Sequence, residues 1–550
     1  MAAVRTEIRN FTHRLDRGFS SDRLPNWGQA GILRDPELAG SPACPGCPDP
    51  LFCHDLDTTP RPDDGLVAVT GASGYIGGRL VPELLARGYC VRAMVRADAM
   101  RFAERWPRAE IVAADAMCPG TLGPALQGVH TLYYLIHSMV MGQARFAAAD
   151  LEAAVNIRQA AEKAGVQRII YLGGVGCAET APSEHLRSRQ AVACALQQGR
   201  VPVTILRASI IIGSGSASFE ILKHLVQNLP IILFPRWSNR LCQPIGIRDV
   251  VKYLVGVLEK PETAGRSFDI GGRDILTYEQ MVRNLADLLR VRRSFIRSPL
   301  SALRLHSYFL SLITPVPGPI VFCLMDGLKS DTVCENDHIR QHLEFCPLGY
   351  REALLLAFSR EEQDNVATRW SDAYPPAHEL ALKLYEVTPR PRYRAVYSLP
   401  TQQSPADLFQ SFCQVGGQEG WFHNNWMWRL RGMIDRVFFG VGTARGRRAR
   451  RSLQINDVID FWRVEDLRPG RRLLLRSEMK LPGRAWLEFL VRRVGKERRV
   501  VIVAYFDTRS LFGRLYWLVL LPFHGVIFEN LLRQIENRCG PLPRKASSAT

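Results

Sequence analysis

The sequence predicts an α/β fold built on a doubly wound parallel sheet, followed by a smaller α+β domain. Three observations lead to this class: a glycine-rich turn between an apolar strand and a helix, an alternation of strand and helix patterns after it, and a change of pattern near residue 390. Beyond that point strands with alternating polarity follow one another, and a long apolar helix closes the chain. In a chain of 550 residues these patterns predict two folded domains.

The composition is basic. Lysine and arginine total 71 against 53 aspartates and glutamates, a net charge of +18, which favours anionic partners such as phosphate cofactors or acidic membrane surfaces. The 13 cysteines are an odd number, and the first residues, MAAVRTEIRNF, lack the apolar core of a secretory signal. We therefore expect reduced thiols and a cytoplasmic location, with peripheral membrane association as the alternative.

Residues 1–63 are rich in Pro, Gly, Asp and Arg and show no sustained periodicity, so we expect a disordered leader. Within it Cys44, Cys47, Cys53 and His54 are ligand types that suit zinc. The second paired knuckle of a zinc ribbon or finger is missing from this stretch. We therefore interpret the four residues as incidental and predict no metal site.

The first element of the predicted core is the stretch LVAVTGASGYIGG, from Leu66 to Gly78. An apolar strand runs into three closely spaced glycines and then into a helix. Such a turn brings the first amides of a helix to the end of a buried strand, where they can bind a pyrophosphate. The stretch predicts a dinucleotide-binding Rossmann unit, and the expected cofactor contacts of the turn are Thr70, Gly71, Ser73, Gly74, Tyr75, Ile76 and Gly77.

Five more strands are expected after this turn, with a helix over residues 143–164 between the fourth and the fifth. Right-handed crossovers would bring their carboxyl ends to one edge of the sheet, so that the loops after Thr70, Val95, Ala114 and Ile136 line one cleft. The expected strands are CVRAMV ending at Val95, EIVAAD ending at Asp115, TLYYLI from Thr131, RIIYLGG from Arg168 and VTILRASIIIG from Val203.

Two charged residues bear on the identity of the cofactor. Arg96 directly follows the second strand, where an arginine suits the 2′-phosphate of NADP and an acid would suit NAD. We predict NADP, with NAD as the alternative because Asp98 is only two residues further on. Asp115, at the end of the third strand, is expected either to accept from the adenine amino group or to serve as a plain turn residue.

Several of these stretches resemble the atypical and extended branches of the short-chain dehydrogenase/reductase superfamily, especially NmrA-like and respiratory complex I-associated members. They are VTGASGYIG, Arg96, the AAD around Asp115, YYLIHSM at 133–139, Asn156 and AGVQRIIYLGG. The resemblance covers residues 64–385 and implies an NAD(P)-binding Rossmann domain with a small, partly helical substrate region. It also implies further cofactor contacts from Ala116, Leu135, His137 and Gly173.

Members of that superfamily with reductase activity carry Tyr-x-x-x-Lys after the fifth strand. Here the corresponding stretch is SEHLRSRQ, with His185 at the tyrosine position and Arg189 at the lysine position. We expect His185 to donate a proton as an imidazolium and Arg189 to supply a fixed positive charge on the same helical face. The fifth strand ends in Gly173 and Gly174 rather than serine or threonine, which weakens this catalytic assignment.

The region after the sixth strand contains an uncharged stretch, residues 307–325, with prolines in its middle. We expect two short apolar helices around a proline turn, which would favour an apolar substrate if they line the cleft. Ser216 or Ser218 is the expected cap of one preceding helix, and Asp249 that of another.

A linker is expected at residues 386–390, a second domain at 391–545 and a tail at 546–550. The order of a strand, a helix, antiparallel strands and a long closing helix resembles the helix-grip fold of polyketide cyclases and START-like lipid binders, also called SRPBCC-like. The strings DFWRV, EMKLPGRAWLEF and GRLYWLVLLPFHGVIF resemble a bacterial family of unassigned function that is fused to such Rossmann domains.

Three features of this second domain allow alternative interpretations. Its many aromatic residues would either wall an apolar cavity that handles a ligand jointly with the first domain or simply pack the core. The apolar run at 515–528 has 14 residues, about 21 Å as a helix, and is expected to be too short to cross a membrane. The arginine cluster at 444–451 is expected to be a solvated loop, and no nucleic-acid partner is predicted. The aromatic residues are Trp421, Trp426, Trp428, Phe461, Trp462, Trp486, Tyr516 and Trp517.

The sequence thus predicts an NADP-dependent oxidoreductase that acts on an apolar carbonyl, enone or quinone-like small molecule. The alternative is a non-catalytic NADP-binding sensor or assembly protein, because the Tyr-x-x-x-Lys pair is missing. The substrate and the oligomeric state are not predicted.

Overall fold

The computed structural model describes residues 51–539 with several gaps, and divides the chain into two compact units, residues 1–374 and 375–550. The gaps within this range are 97–98, 138–142, 177–182, 299–302, 363–365, 367, 374–383, 385–386, 388–389, 417–420, 422–424, 438–441, 443–452, 454, 456 and 496. Asp98, Cys44, Cys47 and the arginine cluster at 444–451 lie outside the described residues.

The first half of the N-terminal unit alternates strands and helices. Its elements are β1 (Leu66–Val69), α1 (Gly77–Ala86), β2 (Val91–Val95), α2 (Ala99–Arg105), β3 (Glu110–Ala113), α3 (Pro119–Leu126), β4 (Val129–Tyr134), α4 (Gln143–Ala164), β5 (Arg168–Gly174), α5 (Glu184–Gln197) and β6 (Val203–Ala208).

The second half of this unit adds short strands and six helices within the described residues. These elements are β7 (Ile211–Ile212), α6 (Ala217–Asn228), β8 (Ile231–Phe234), β9 (Leu241–Cys242), β10 (Ile245–Gly246), α7 (Ile247–Glu259), β11 (Ser267–Ile270), β12 (Leu276–Thr277), α8 (Tyr278–Leu288), β13 (Ser294–Arg297), α9 (Leu303–Ile313), α10 (Gly318–Gly327) and α11 (Tyr350–Glu362).

Seven of the strands form one parallel sheet in the order β11-β6-β5-β4-β1-β2-β3. The order reverses at β1, which pairs with β2 on one side and β4 on the other, so the carboxyl ends of β1 and β4 flank a crevice of the kind that binds ligands in such sheets. The first five predicted strands are confirmed, whereas the sixth is divided, since β6 ends at Ala208 and Ile211–Ile212 forms β7, which pairs with β10. The seventh, β11, was not predicted, because the four residues SFDI are too short a run to stand out.

Residues 51–63 contradict the expectation of a leader that is disordered throughout. Phe52, Cys53 and Leu56 are buried in the core of the N-terminal unit. Glu83 of α1 accepts a hydrogen bond from the amide of Cys53 at 3.1 Å, and Arg87 donates to the carbonyl of Cys53 at 2.8 Å. The polar composition of this stretch hid three apolar residues that are enough to anchor it.

The structure shows which residues cap the two helices whose starts were predicted. Ser216 is the N-cap of α6, with its hydroxyl accepting from the amide of Phe219 at 3.1 Å. The prediction for Asp249 is wrong, since α7 begins two residues earlier and its N-cap is Gly246. Asp249 lies buried in the first turn instead, where it accepts from the amide of Leu348 at 2.9 Å.

The C-terminal unit contains an antiparallel six-stranded sheet in the order β14-β19-β18-β17-β16-β15. The long closing helix α14 packs on β14, β19 and α12. The elements are β14 (Tyr393–Thr401), α12 (Pro405–Phe412), α13 (Asn425–Val437), β15 (Val458–Ile459), β16 (Trp462–Arg468), β17 (Arg472–Ser477), β18 (Arg484–Val494), β19 (Glu497–Asp507) and α14 (Leu511–Asn537).

The aromatic residues of this unit largely pack against one another. Trp421 stacks on Trp428 with ring centroids 4.3 Å apart, and Trp428 in turn lies 5.8 Å from Phe461. Trp462 and Trp517 belong to the same buried cluster. These contacts support the interpretation that the aromatic residues fill the core. Trp426, by contrast, is 63% exposed.

The expected closing helix is confirmed as α14, which begins at Leu511 and has 27 residues. The uninterrupted apolar run between Arg514 and Glu529 forms part of it. A stretch of 18 residues in this helix has a mean hydropathy of 1.6, so the helix is long and apolar enough to cross a membrane by length and composition. Both charged residues are accommodated in the helix.

Candidate functional site

The glycine turn between β1 and α1 leaves no room for side chains at two positions. Gly71 has φ +66°, and a Cβ built there would lie 2.7 Å from the carbonyl oxygen of Leu135. At Gly77 a Cβ would lie 2.4 Å from the carbonyl oxygen of Gly71. The close approach keeps the turn tight against the first turn of α1, where the amide of Gly78 donates to the carbonyl of Gly74 and that of Arg79 to the carbonyl of Ile76, both at 3.0 Å. That the turn, which includes Ser73, Gly74, Tyr75 and Ile76, binds a dinucleotide phosphate stays a prediction.

Thr70 fixes the crevice between β1 and β4. Its hydroxyl donates to the carbonyl of Tyr133 at 2.9 Å and accepts from the amide of Leu135 at 3.2 Å. Behind the turn, the buried Arg79 of α1 donates to the carbonyl of Ser214 at 3.0 Å. Arg79 was not singled out from the sequence, because one arginine on a helix usually faces solvent.

The loops after β2 and β3 hold the other expected cofactor contacts. Arg96 is exposed directly after β2. The carboxylate of Asp115 accepts from the amide of Met117 at 3.0 Å, which is the plain turn role among the two expected. Asn156 of α4 donates to the carbonyl of Ala116 at 2.9 Å and so holds this loop. Whether these residues contact adenosine stays a prediction.

A second group of polar residues lies at the same edge of the sheet, beyond β4 and β5. His137 donates from Nδ1 to Oδ2 of the buried Asp150 on α4, 2.9 Å away. The ring of His185, on α5, lies 5.1 Å from that of His137 between centroids. Arg189, one turn further along α5, has Nη2 3.6 Å from the same oxygen of Asp150. The structure thus brings together three predicted residues and one that was not predicted. We call His137, Asp150, His185 and Arg189 the polar cluster.

Two tyrosines of the sheet, Tyr171 and Tyr134, lie next to the polar cluster. The Tyr171 ring on β5 lies 5.4 Å from the guanidinium carbon of Arg189, and its hydroxyl donates to the Arg189 backbone carbonyl at 3.1 Å. The Tyr134 ring on β4 is 5.8 Å from that of Tyr171. Gly173 follows at the end of β5, where a Cβ would lie 3.0 Å from Tyr171. Because Gly173 has no side chain, nothing at this position displaces the Tyr171 ring.

Burial sets the protonation of both histidines. It lowers the pKa of His137 to about 4, with the positive charge of Arg189 acting in the same direction and Asp150 opposing both. The pKa of His185 is lowered well below its usual range, again by burial first and then by His137 and Arg189. Both imidazoles are therefore neutral near pH 7. This differs from the sequence interpretation, in which His185 donates a proton as an imidazolium.

Five polar atoms of the polar cluster and of Tyr134 are buried and have no hydrogen-bond partner among the described residues. They are Nε2 of His137, Nδ1 of His185, Nε and Nη2 of Arg189 and the hydroxyl of Tyr134. A buried polar atom without a partner costs about 1–3 kcal/mol, and such atoms in a native protein call for a ligand or water. The polar cluster thus has the character of a binding site.

Asp150 could have been found from the sequence. It lies on the buried face of α4 in line with Ala153, Ala154 and Ile157, where every neighbour at helical spacing is apolar. An ionisable side chain in such a row is expensive to bury unless it has a partner. Its partner, His137, lies in the loop after β4 and not on α4, so the sequence alone could not have shown that the two residues are in contact.

The apolar helix pair predicted at 307–325 is confirmed, and its second helix lies beside the polar cluster. The helices are α9 and α10, and α10 packs on α5. Asp326 of α10 accepts from the amide of Glu184 at 2.8 Å, one residue before His185. A Cβ on Gly327 would lie 4.0 Å from the His185 ring. The end of α10 therefore borders the site on this side.

Metal ligation has no support in the described part of the chain, which contains no group of three or more His, Cys, Asp or Glu residues able to hold an ion. Cys53 is fully buried, and burial raises the pKa of its thiol well above the usual range.

Two family models match the chain. Residues 71–216 match a family described as "NAD(P)H-binding", and residues 387–531 match a family described as "Protein of unknown function (DUF2867)". Among curated proteins, the photosystem II assembly factor Ycf39 of Trieres chinensis is 23% identical over 44% of this chain and 74% of its own length. The ceramide reductase of Caulobacter vibrioides is 26% identical over 43% of this chain and 74% of its own length.

Among solved structures, the triphenylmethane reductase of Citrobacter sp. complexed with NADP(H) aligns with a TM-score of 0.45 and 19% identity. The alignment covers 53% of this chain and 99% of the reductase. From the family match and the parallel sheet with its glycine turn, residues 71–216 form an NAD(P)H-binding domain with a Rossmann-like fold.

Proposed function

We propose that the protein is an NADP-dependent oxidoreductase that acts on an apolar carbonyl, enone or quinone-like small molecule. The observation that carries this proposal is the buried Nε2 of His137, at the edge of the sheet where the glycine turn also lies. Because Nδ1 donates to Asp150, Nε2 carries no hydrogen and accepts only. A substrate hydroxyl is a suitable donor for it.

When bound, the cofactor supplies the hydride acceptor or donor. In the oxidising direction, the substrate hydroxyl donates to Nε2 of His137, and this nitrogen takes the proton while the hydride leaves the carbinol carbon and a carbonyl forms. Asp150 stabilises the imidazolium that results, in the manner of an Asp-His pair. In the reducing direction the same ring returns the proton to the carbonyl oxygen.

His185 and Arg189 have different parts in this scheme. The neutral ring of His185 is close enough to orient the substrate oxygen by a hydrogen bond, since its centroid is 5.1 Å from that of His137. Nη2 of Arg189 lies 3.6 Å from Oδ2 of Asp150 and so places a positive charge beside that carboxylate. This arrangement would replace the missing Tyr-x-x-x-Lys pair without reproducing its chemistry.

The apolar nature of the substrate is supported by the apolar helix α10, which packs on α5 and brings Gly327 close to the His185 ring. The ceramide reductase among the relatives is named for a lipid substrate, which fits the same class. NADP rather than NAD is favoured by Arg96, whose guanidinium can bind a 2′-phosphate bidentately.

A non-catalytic NADP-binding role is the second candidate. It is favoured by the missing Tyr-x-x-x-Lys pair and by the relative that is named as an assembly factor. In that case the polar cluster would bind a ligand without turnover.

For the C-terminal unit we propose the helix-grip class. The order of a strand, two helices, antiparallel strands and a long closing helix supports it. The packing of α14 against β14 and β19 is consistent with a helix held by a curved sheet.

The experiment compares the parent chain with His137→Asn and, as a matched control, His130→Asn, whose histidine lies on the same strand β4 but away from its carboxyl end. Each protein is supplied with NADP⁺ and apolar secondary alcohols, or with NADPH and the corresponding ketones and quinones. We expect turnover by the parent, a loss of about a hundredfold in kcat for His137→Asn, and no change for His130→Asn.

Two results would contradict the proposal. Equal turnover by His137→Asn would remove the proton-transfer role of His137. Tight binding of NADPH by the parent without turnover of any substrate would favour the non-catalytic candidate.

A further inference from the structure

The C-terminal unit carries more than half of the exposed large apolar side chains among the described residues. The outer face of α14 exposes apolar side chains at positions that share one side of the helix, with exposures between 50% and 77%. They are Leu511, Phe512, Leu515, Leu518, Val519, Phe523 and Val526. Proteins that remain monomeric in water seldom expose a contiguous apolar patch of this kind without a partner.

The neighbouring helix α13 has a similar outer face. Trp426, Leu430, Met433 and Ile434 are spaced as on one side of a helix and are 44–63% exposed. The two helices contact each other, because the ring of Trp428 on α13 lies 6.4 Å from that of Phe528 on α14. We call the exposed apolar residues of α13 and α14 the outer apolar face.

The inner side of α14 excludes a spanning arrangement in this fold. Phe528, Leu531, Leu532 and Ile535 are at most 3% exposed and belong to the core of the C-terminal unit. A membrane-spanning helix would have to withdraw these side chains from the core. The helix can instead lie on a bilayer, with its inner side still on the sheet and its outer side in the interfacial region.

The net charge of the C-terminal unit indicates which kind of surface the outer apolar face would bind. Residues 375–550 contain 30 lysines and arginines against 15 aspartates and glutamates, a net charge of +15 out of the +18 of the whole chain. Arg509 and Arg514 lie at the start of α14, and no acidic residue occurs between Thr508 and Phe528. Arginines beside exposed apolar side chains match a surface that combines anionic headgroups with acyl chains.

We infer that the outer apolar face binds the surface of an anionic lipid bilayer, with α13 and α14 lying parallel to it. The exposed leucines, Trp426 and Phe523 enter the headgroup and acyl boundary, and the arginines contact lipid phosphates. This inference does not depend on the proposed function, because it rests on the C-terminal unit alone.

The test is flotation of the full-length protein with vesicles of phosphatidylcholine alone and of phosphatidylcholine with phosphatidylglycerol. One variant replaces Leu515, Leu518 and Val519 by serine. The matched control replaces Ile231, Leu233 and Ile296 of the N-terminal unit by serine, since these residues are also about half exposed. A third variant, Arg509→Gln with Arg514→Gln, tests the charge.

We expect the parent to bind the anionic vesicles and to bind the neutral ones much less. The partition coefficient of the α14 variant for the vesicles should be about tenfold or more below that of the parent, because three apolar side chains no longer enter the bilayer. The N-terminal control should bind as the parent does. The arginine variant should lose its preference for anionic vesicles, and added salt should weaken the parent in the same way.

NADPH affinity, measured on the same samples, should be equal in all four proteins, which separates lipid binding from cofactor binding. The inference is overturned if the α14 variant floats as well as the parent. It is also overturned if the parent ignores vesicles and forms a dimer that the α14 variant abolishes, which would make a second copy the occupant. Binding to nucleic acid in place of vesicles would overturn it as well.

Discussion

Oδ2 of Asp150 accepts a hydrogen bond from Nδ1 of His137 at 2.9 Å, and this contact joins the middle of α4 to the end of β4. It fixes the tautomer of His137, because a ring nitrogen that donates to a carboxylate must carry the hydrogen. The opposite nitrogen can then only accept. Burial adds to this by keeping the ring neutral over most of the pH range. The chemistry available at this position is therefore proton acceptance rather than donation from a resident imidazolium.

The pH dependence of turnover follows from this assignment. With a pKa of about 4, His137 is neutral and ready to accept a proton throughout the neutral range. The rate of alcohol oxidation should not depend on the titration of His137 above about pH 5, because the ring is then already neutral. The rate of ketone reduction should fall about tenfold per pH unit above pH 4, because reduction needs the protonated ring. Initial rates in both directions from pH 5 to pH 8 would check this. A plateau of the reduction rate below pH 6, with a fall near 6.5, would instead indicate an unperturbed histidine as donor.

The glycine turn should not tolerate a methyl group. In Gly77→Ala the new Cβ would lie 2.4 Å from the carbonyl oxygen of Gly71, so α1 must shift away from the strand. We expect NADPH affinity to fall about tenfold to a hundredfold, the loss of one charge-assisted contact or more. The control is Gly120→Ala, where a Cβ meets nothing within 4 Å. Fluorescence titration with NADPH would measure both, and equal affinities would show that the turn does not hold the phosphates.

Arg96→Ala should separate the two cofactors. If Arg96 binds the 2′-phosphate, its removal should cost about 1.5–3 kcal/mol of NADPH binding and leave NADH nearly unchanged. Arg108→Ala, another exposed arginine of the same unit, is the control and should change neither. Calorimetric titrations with both cofactors would decide, and equal affinity of the parent for NADPH and NADH would contradict the NADP assignment.

Glu83 should make the N-terminal unit less stable as the pH rises. Burial raises its pKa to about 7, above the usual value of 4.5, despite the amide hydrogen bonds that it accepts. The folded state therefore binds more protons than the unfolded state between these values, and the free energy of unfolding should drop by about 3 kcal/mol from pH 4.5 to pH 7 on account of this group. Glu83→Gln should lack that drop.

Other buried acids such as Asp249 act in the same direction, so the quantity to measure is the difference between Glu83→Gln and the parent at each pH. Urea denaturation at pH 5 and pH 7 provides it. A difference that does not change with pH would mean that the pKa of Glu83 is ordinary.

Trp421 should contribute to the stability of the C-terminal unit through a polar contact as well as through packing. Its indole nitrogen donates to Oδ2 of the buried Asp460 at 2.8 Å. Trp421→Phe should therefore lower the free energy of unfolding by about 1.5–3 kcal/mol, beyond the small change in apolar volume. Trp426→Phe, at a mostly exposed position, should change it by less than about 0.5 kcal/mol. Thermal denaturation followed by circular dichroism would compare them.

Local pattern was sufficient to predict most of the N-terminal sheet. The six predicted strands are apolar runs bounded by glycine or charge, and the glycine turn has its own signature. What the sequence could not show are contacts between distant segments. Phe52 and Cys53 are anchored by Glu83 and Arg87, residues that are ordinary helix charges until the fold places them there.

In the candidate site, too, the sequence could identify some of the residues but not the contacts between them. His185 and Arg189 could be identified because they stand at the positions of the Tyr-x-x-x-Lys pair in the superfamily that the sequence resembles. Their proximity to His137 and Asp150 depends on three separate elements meeting at one edge of the sheet. The protonation of the histidines could not be predicted either, because it follows from burial.

The position of β11 at the edge of the parallel sheet has a consequence for the synthesis of the chain. β11 pairs with β6, yet 58 residues lie between Ala208 and Ser267. At about 5–20 residues per second, the ribosome needs about 3–12 s to deliver the missing strand. During that time β6 presents an open, apolar edge, so the nascent chain is most exposed to aggregation and to chaperone capture between the emergence of β6 and that of β11.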